Sequence, residues 1–199
     1  TYASITMLIS CPAGTLLAYA FVKKPRAKKW LDPLVMLPFG ASAVTMGLGF
    51  IITFNRPPLE AGSFPLLIPL AHSLIAMPFV LRTVQPALQS IPDSMRQSAA
   101  VLGASPWQVW WNVEIQVMRR ALLTGAVFSF TISLGEFGAT SFIASPYNPT
   151  LPVAIYRYLS QPGAMNYGQA MAMATILIVV CAMSIWLLER LQGEKQRHV

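Results

Sequence analysis

The sequence predicts an all-α, polytopic membrane helix bundle of about five spans, and three observations carry that prediction. First, 55% of the 199 residues are hydrophobic and only 11% are charged. The mean hydropathy of +0.55 lies above the usual soluble range. Second, five apolar runs reach the roughly 20 residues needed to cross a hydrocarbon core; they fall at 2–22, 31–54, 64–81, 121–142 and 170–188. Third, assigning the intervening segments alternately to two sides collects Lys23, Lys24, Arg26, Lys28, Lys29, Arg82, Arg96, Arg119, Arg120, Arg190, Lys195 and Arg197 on one side. Arg56 and Arg157 fall on the other.

An excess of Lys and Arg marks the cytoplasmic side. The N-terminus of this segment is therefore expected outside and its C-terminus inside. The net charge of +7 reports topology, and no nucleic-acid partner is expected, since Arg96 is the only basic residue between Arg82 and Arg119.

In the first span, Pro12 and Gly14 sit near the middle, which a membrane helix tolerates when neighbouring helices satisfy the freed backbone groups. Gly40, Ala41, Ser42, Ala43, Gly47 and Gly49 in the second would allow close helix approach. The third carries His72 between Pro69 and Pro78, either lining a cavity and shuttling a proton or satisfied by its neighbours. Within the fourth, Glu136 lies between Gly135 and Gly138. An ionisable group there needs compensation: it faces the pathway or a gate and attracts a cationic substrate, or it is solvated or hydrogen-bonded near its helix end.

Outside the spans, "NRPPLEAGSFP" is a short Pro/Gly connection, and the apolar patch 151–158 of the longer outer segment reads as a short helix on the outer face. Tyr147, Tyr156, Tyr158 and Tyr167 fit an interfacial belt. Cys11 and Cys181, both within spans, read as free thiols packed in apolar surroundings. No His, Cys, Asp and Glu cluster has metal-ligand spacing, so no metal is expected. The chain starts with neither Met nor a basic leader, which predicts that its beginning is missing, with at least one preceding span. One domain, 1–199, is expected.

The segment 82–120 is too long for a minimal connector and more in keeping with a functional one. "QSAAVLGASPWQVWW" inside it reads as two short helices broken at a glycine. Ser90 or Asp93, around Pro92, opens the first; Gly103 is where a left-handed C-terminal turn is easiest; Ser105 as N-cap with Pro106 restarts the chain. Trp107, Trp110, Trp111 and Ile115 then recur at spacings that place tryptophans at a membrane interface. Ser98, Ala99 and Ala100 give the first helix a small-residue surface, suited either to close docking of another protein or to packing under the bundle.

These residues resemble the signature of permease subunits of binding-protein-dependent ABC importers, written E-A-A, three residues, G, nine residues and I-x-L-P. Gln97, Ser98 and Ala99 occupy the E-A-A places, Gly103 the glycine, Val113 and Ile115 the apolar places and Gln116 the proline place. The acidic position is an amide here and the final proline is absent, so a carboxylate contact with the ATPase does not carry over. The resemblance implies the type I importer transmembrane fold, with a coupling helix formed by Gln97, Ser98, Ala99, Gly103, Ala104, Ser105, Pro106 and Trp107 and seated in a cleft of a cytoplasmic ATP-hydrolysing subunit.

It further implies a bacterial inner-membrane location, with a dimer of ATP-binding subunits, a second permease half, fused or separate, an external substrate-binding protein and the lipid bilayer as partners. No phosphate-cradling G-x-x-x-x-G-K-[ST] is present, so this chain is expected to bind no cofactor and to be no enzyme, with ATP and Mg held by the partner. "LGEFGATSFI", "PTLPVAIYRYL" and "NYGQAMAMATILIVV" extend the resemblance. They are most similar to the C-terminal half of fused thiamine and ferric-iron permeases, with molybdate and sulfate permeases more distant. Thiamine or its phosphates is the first cargo expected and ferric iron the alternative. An ion-coupled secondary transporter, the alternative of another class, would need several paired intramembrane ionisable groups, of which the sequence offers Glu136 and His72.

Overall fold

The computed structural model describes residues 1–54, 66–144 and 148–193. The connection 55–65 with Arg56, the belt residue Tyr147 and the tail residues Lys195 and Arg197 lie outside the described residues. In chain order the elements are α1 (Tyr2–Lys23), α2 (Pro25–Gly40), α3 (Ala43–Phe54), α4 (Leu67–Gln89), α5 (Asp93–Val101), α6 (Pro106–Val109), a π-helical segment (Trp110–Glu114), α7 (Ile115–Gly135), α8 (Thr140–Ile143), α9 (Leu151–Leu159) and α10 (Ala164–Gly193). No strand occurs among the described residues.

The centre is a three-helix contact of α1, α4 and α7. On α1 the buried residues Ala3, Thr6, Ser10, Gly14, Ala18 and Phe21 recur every three or four positions, which places them on one face. The face is small and partly polar, so it packs by close approach. A Cβ on Gly14 would come within 2.7 Å of the Val80 Cβ, and one on Gly125 of α7 within 3.3 Å of the Val80 Cα. Two glycines thus let α1 and α7 close on α4 around the same residue, as apolar helices must when lipid supplies no hydrophobic drive. The Ser10 and Ser129 hydroxyls meet across α1 and α7 at 2.5 Å. Towards the α5 end the core turns apolar, with Phe21, Leu81, Leu88, Ile91 and Met118 buried together.

A second apolar cluster, Leu67, Ile68, Ala71 and Ile143, joins α4 and α8 to Phe50, Ile51 and Phe54 of α3. α10 packs on α9 and α7, yet only 6% of its apolar window is buried. Ile176, Ile178, Met183 and Trp186 are exposed along it, the pattern of a helix whose solvent is lipid. Cys11 and Cys181 are free thiols.

Among the described residues four helices are long and apolar enough to span a membrane, with a fifth span only if two bent pieces count as one. The expected second span, 31–54, is that bent pair: α2 and α3 meet at 108°. Ala41 is extended (φ −87°, ψ 140°) after Pro33 and Pro38, and the small residues around it do not hold a continuous helix together. Of the six small residues expected to promote close approach there, Gly47 does so, against the backbone of Ala139, whereas Gly40 and Gly49 face open space. The expected fourth span, 121–142, is also interrupted, since α7 ends at Gly135 and Glu136 is extended (ψ 121°). The patch 151–158 is helical as expected, within α9.

The Gly14 contact gives a direct test. Gly14→Val is expected to destabilise the purified protein by about 1–3 kcal/mol through overpacking against Val80, read as a lower midpoint of thermal unfolding in detergent. Gly49→Ala, at an open position, is expected to leave the midpoint unchanged or raise it.

Candidate coupling site and buried polar cluster

Two polar constellations stand out, at opposite ends of the α1–α4–α7 bundle. The first is the α5–α6 turn. α5 begins after Pro92, whose extended backbone makes it the N-cap, with neither Ser90 nor Asp93 capping by side chain. It ends where Gly103 takes φ +87°. The Ala104 N–H donates to the Ala99 carbonyl (3.1 Å) and the Gly103 N–H to that of Ala100 (2.9 Å), which together form a Schellman turn. A Cβ on Gly103 would touch nothing within 4 Å, so the requirement for glycine lies in the backbone conformation.

Ser105 restarts the chain as expected, with Pro106 in the first turn. Gln108 completes a capping box: the Gln108 N–H donates to Ser105 Oγ (3.4 Å) and the Ser105 N–H to Gln108 Oε1 (2.7 Å). The Ser-x-x-Gln spacing carries that signal in the sequence. Trp107 and Trp110 stack with centroids 4.7 Å apart, and Trp111 closes the cluster. Gln97, Ser98, Gly103, Ser105, Pro106 and Trp107 are exposed, and Ala99 and Ala104 half-buried. At the tip Val101 and Leu102, not anticipated as contact residues, are each 87% exposed. Two adjacent apolar side chains on a turn locked by hydrogen bonds form a compact exposed knob.

α5 is tied to the bundle by charge. Arg96 donates through Nε to Glu114 Oε1 (2.7 Å) and through Nη1 to Asp93 Oδ1 (2.9 Å) and the Ile91 carbonyl (3.3 Å). Partial burial opposes the Arg96 charge, but the hydrogen bond and charge of Glu114, with Asp93 adding to them, hold its pKa above the ordinary value. The other Glu114 oxygen accepts from the Tyr19 hydroxyl of α1 at 2.5 Å. Arg82 and Asp32 join α4 to α2 at 3.1 Å. Neither ion pair was anticipated, because each joins residues distant in sequence.

The second constellation unites His72 and Glu136. Glu136 accepts from the backbone N–H groups of Ala139 (2.8 Å) and Thr140 (3.0 Å), which lead into α8, and from the Thr140 hydroxyl (2.6 Å). The hydroxyl's one proton is thereby used, so Thr140 accepts from His72 Nε2 (2.7 Å), which also lies 3.3 Å from Glu136 Oε2. His72 Nδ1 meets Ser133 Oγ (2.7 Å), which donates onward to Thr6 Oγ1 (3.1 Å). The cluster replaces the helical hydrogen bonds lost at Glu136 and stitches α1, α4, α7 and α8 together. A cavity of about 450 Å³ reaches Ser133, Asn148 and Thr150 but neither His72 nor Glu136. Among the described residues no group of three His, Cys, Asp or Glu side chains is placed to hold a metal.

A helical bundle with several candidate spans, a hydrogen-bonded helix–turn–helix at one end and a closed polar cluster at the other defines a polytopic membrane protein. The chain belongs to the family of binding-protein-dependent transport system inner membrane components, which it matches over residues 10–196. It is thus a permease subunit of an ABC importer, with the helical membrane domain of that type.

Among its relatives, the sulfate transport system permease cysT of Marchantia polymorpha is 28% identical over 204 residues, covering 96% of this chain and 70% of its own. The sulfate permease CysW of Synechococcus elongatus is 31% identical, with 96% and 73% covered. PhnV of Salmonella typhimurium, named for 2-aminoethylphosphonate transport, is 30% identical, with 83% and 62% covered. These names concern sulfate and a phosphonate, and they lend no support to thiamine or ferric iron as cargo.

Removing the imidazole tests the buried cluster. His72→Leu removes one of the partners of each of the Ser133 and Thr140 hydroxyls and the imidazole beside the Glu136 carboxylate, and is expected to destabilise the protein by about 1–3 kcal/mol, read as a lower unfolding midpoint in detergent.

Proposed function

We propose that this chain is the membrane permease of an ATP-driven importer and that its α5–turn–α6 segment is the element that ATP-hydrolysing subunits push. The observation that carries this reading is the Schellman turn at Gly103, which holds exposed Val101 and Leu102 between two stiff helices. A hydrogen-bonded lever transmits displacement where a loose loop would absorb it. Gln97, Ser98, Ala99, Gly103, Ala104, Ser105, Pro106 and Trp107 form the docking face. In this reading the α5 end is cytoplasmic, as the distribution of Lys and Arg supports. ATP and Mg sit on the partner subunits, a second permease half completes the pathway, and an external binding protein delivers cargo.

For the cargo we propose a small solute bearing a tetrahedral oxyanion. The relatives' names support this class, and the phosphates of thiamine share it. The cavity is lined by Ser133, Asn148 and Thr150 beside the apolar Ala3, Leu134, Pro149 and Leu151, with no carboxylate among the described residues, and the buried Thr150 hydroxyl has no partner among them, as suits an acceptor-rich guest. A cation attracted by Glu136 finds less support, because that carboxylate is engaged by Thr140, Ala139 and His72. Here Glu136 and His72 act by holding the α7–α8 break in shape beside the pathway.

The test is ATPase activity of the reconstituted full-length complex, titrated with binding protein loaded with sulfate, 2-aminoethylphosphonate, thiamine phosphate or ferric iron. Proline cannot adopt φ +87° and lacks the N–H that bonds Ala100, so Gly103→Pro is expected to abolish cargo-stimulated hydrolysis while the complex still assembles. Retained stimulation in that variant would remove the coupling role, and stimulation by ferric iron alone would remove the oxyanion reading.

A further inference from the structure

We infer that Arg96, Glu114 and Tyr19 form a strut through which displacement of α5 reaches α7 and, separately, α1; this rests on the coupling role proposed above. No residue of α5 is buried, so the helix has no apolar knob locked into the bundle. A helix held only by its ends would tilt when pushed and lose the motion. The Arg96 side chain prevents that. Its guanidinium is anchored on its own helix by Asp93 and reaches Glu114 across 18 positions of sequence.

The carboxylate of Glu114 then divides the load. Oε1 takes the hydrogen bond from Arg96 and Oε2 the one from Tyr19, 95 positions away on α1. α5 connects by chain to α4 and α6 but not to α1, so the Tyr19 hydroxyl supplies a side-chain path from α5 to that helix. Side-chain exposures of 27% for Arg96 and 12% for Glu114 shield the pair from the solvent screening that makes surface ion pairs weak. Charge-assisted hydrogen bonds of this kind are the stronger class. Glu114 also closes the π-helical segment Trp110–Glu114. Such widened turns occur often at functional sites, and this one orients the carboxylate between α1 and α5.

Arg96, Glu114 and Tyr19 are therefore positioning residues, acting through one another on the helices they join. The link predicts rigid-body behaviour of α1 with α5. Spin labels at Leu8 of α1 and Ser94 of α5, with the other cysteines replaced, report the α1–α5 distance in the reconstituted complex before and after trapping with ATP, Mg and vanadate. Docking is followed in parallel by cross-linking Ala99→Cys to the ATPase subunit.

The expected result is a wild-type distance that stays constant on trapping, and a Tyr19→Phe distance that changes while docking persists. Arg96→Met is expected to lower the ratio of cargo-stimulated to basal hydrolysis about tenfold, with Arg96→Lys recovering part of it. Tyr19→Phe removes one hydroxyl and keeps the ring, so it reads the link even where Arg96→Met fails to fold. A wild-type distance that changes on trapping, or a Tyr19→Phe protein that behaves as wild type with docking intact, overturns the strut alone. Absence of the Ala99 cross-link in the wild type overturns the coupling role and the strut with it.

Discussion

An interruption of a helix within the bilayer leaves backbone N–H and C=O groups that lipid cannot satisfy, and this constraint shapes the end of α7. The break after Gly135 is answered by Glu136, whose carboxylate takes the Ala139 and Thr140 N–H groups, and the His72 imidazole lies 3.3 Å from that carboxylate. The break at Gly103 lies outside the apolar spans, and there the chain closes its own backbone groups through two turn hydrogen bonds and the Ser105–Gln108 box. Polar residues in this apolar protein therefore collect where helices stop. Both collections became rigid pieces: a closed knot among α1, α4, α7 and α8, and a stiff knob at the other end.

The same constraint explains what could be read from the sequence. Gly103, Ser105 and Pro106 act within a few residues of themselves, so their turn and restart were legible directly. The four long spans followed from apolar length, and the family resemblance from the pattern around Gly103. The break between α2 and α3 was not legible, because small residues in an apolar run serve equally for close packing and for a bend. Which one results depends on neighbours: Gly47 found Ala139, while Gly40 found nothing. Glu136 and His72 were legible as candidates, but their pairing joins residues 64 positions apart, and nothing local announces it. Arg96 with Glu114 escaped for the same reason.

Function follows from how the two pieces are joined. Between them lies a tightly packed shaft, in which glycines at 14 and 125 bring α1 and α7 onto Val80 of α4. A shaft without slack passes displacement along its length, since close-packed helices shift as units and do not deform gradually. The exposed tip at Val101 and Leu102 is where such a displacement would enter. The lipid-facing character of α10 leaves that helix outside the shaft.

That account depends most directly on whether the α5–turn–α6 segment is the surface covered by ATPase subunits. Hydrogen–deuterium exchange on the full-length permease, alone and assembled with its ATPase subunits, measures this without mutation. The account predicts that amides in residues 93–111 slow on assembly while those of α9 are unchanged. Unaltered exchange across 93–111 in the assembled complex, with protection appearing elsewhere, would contradict it.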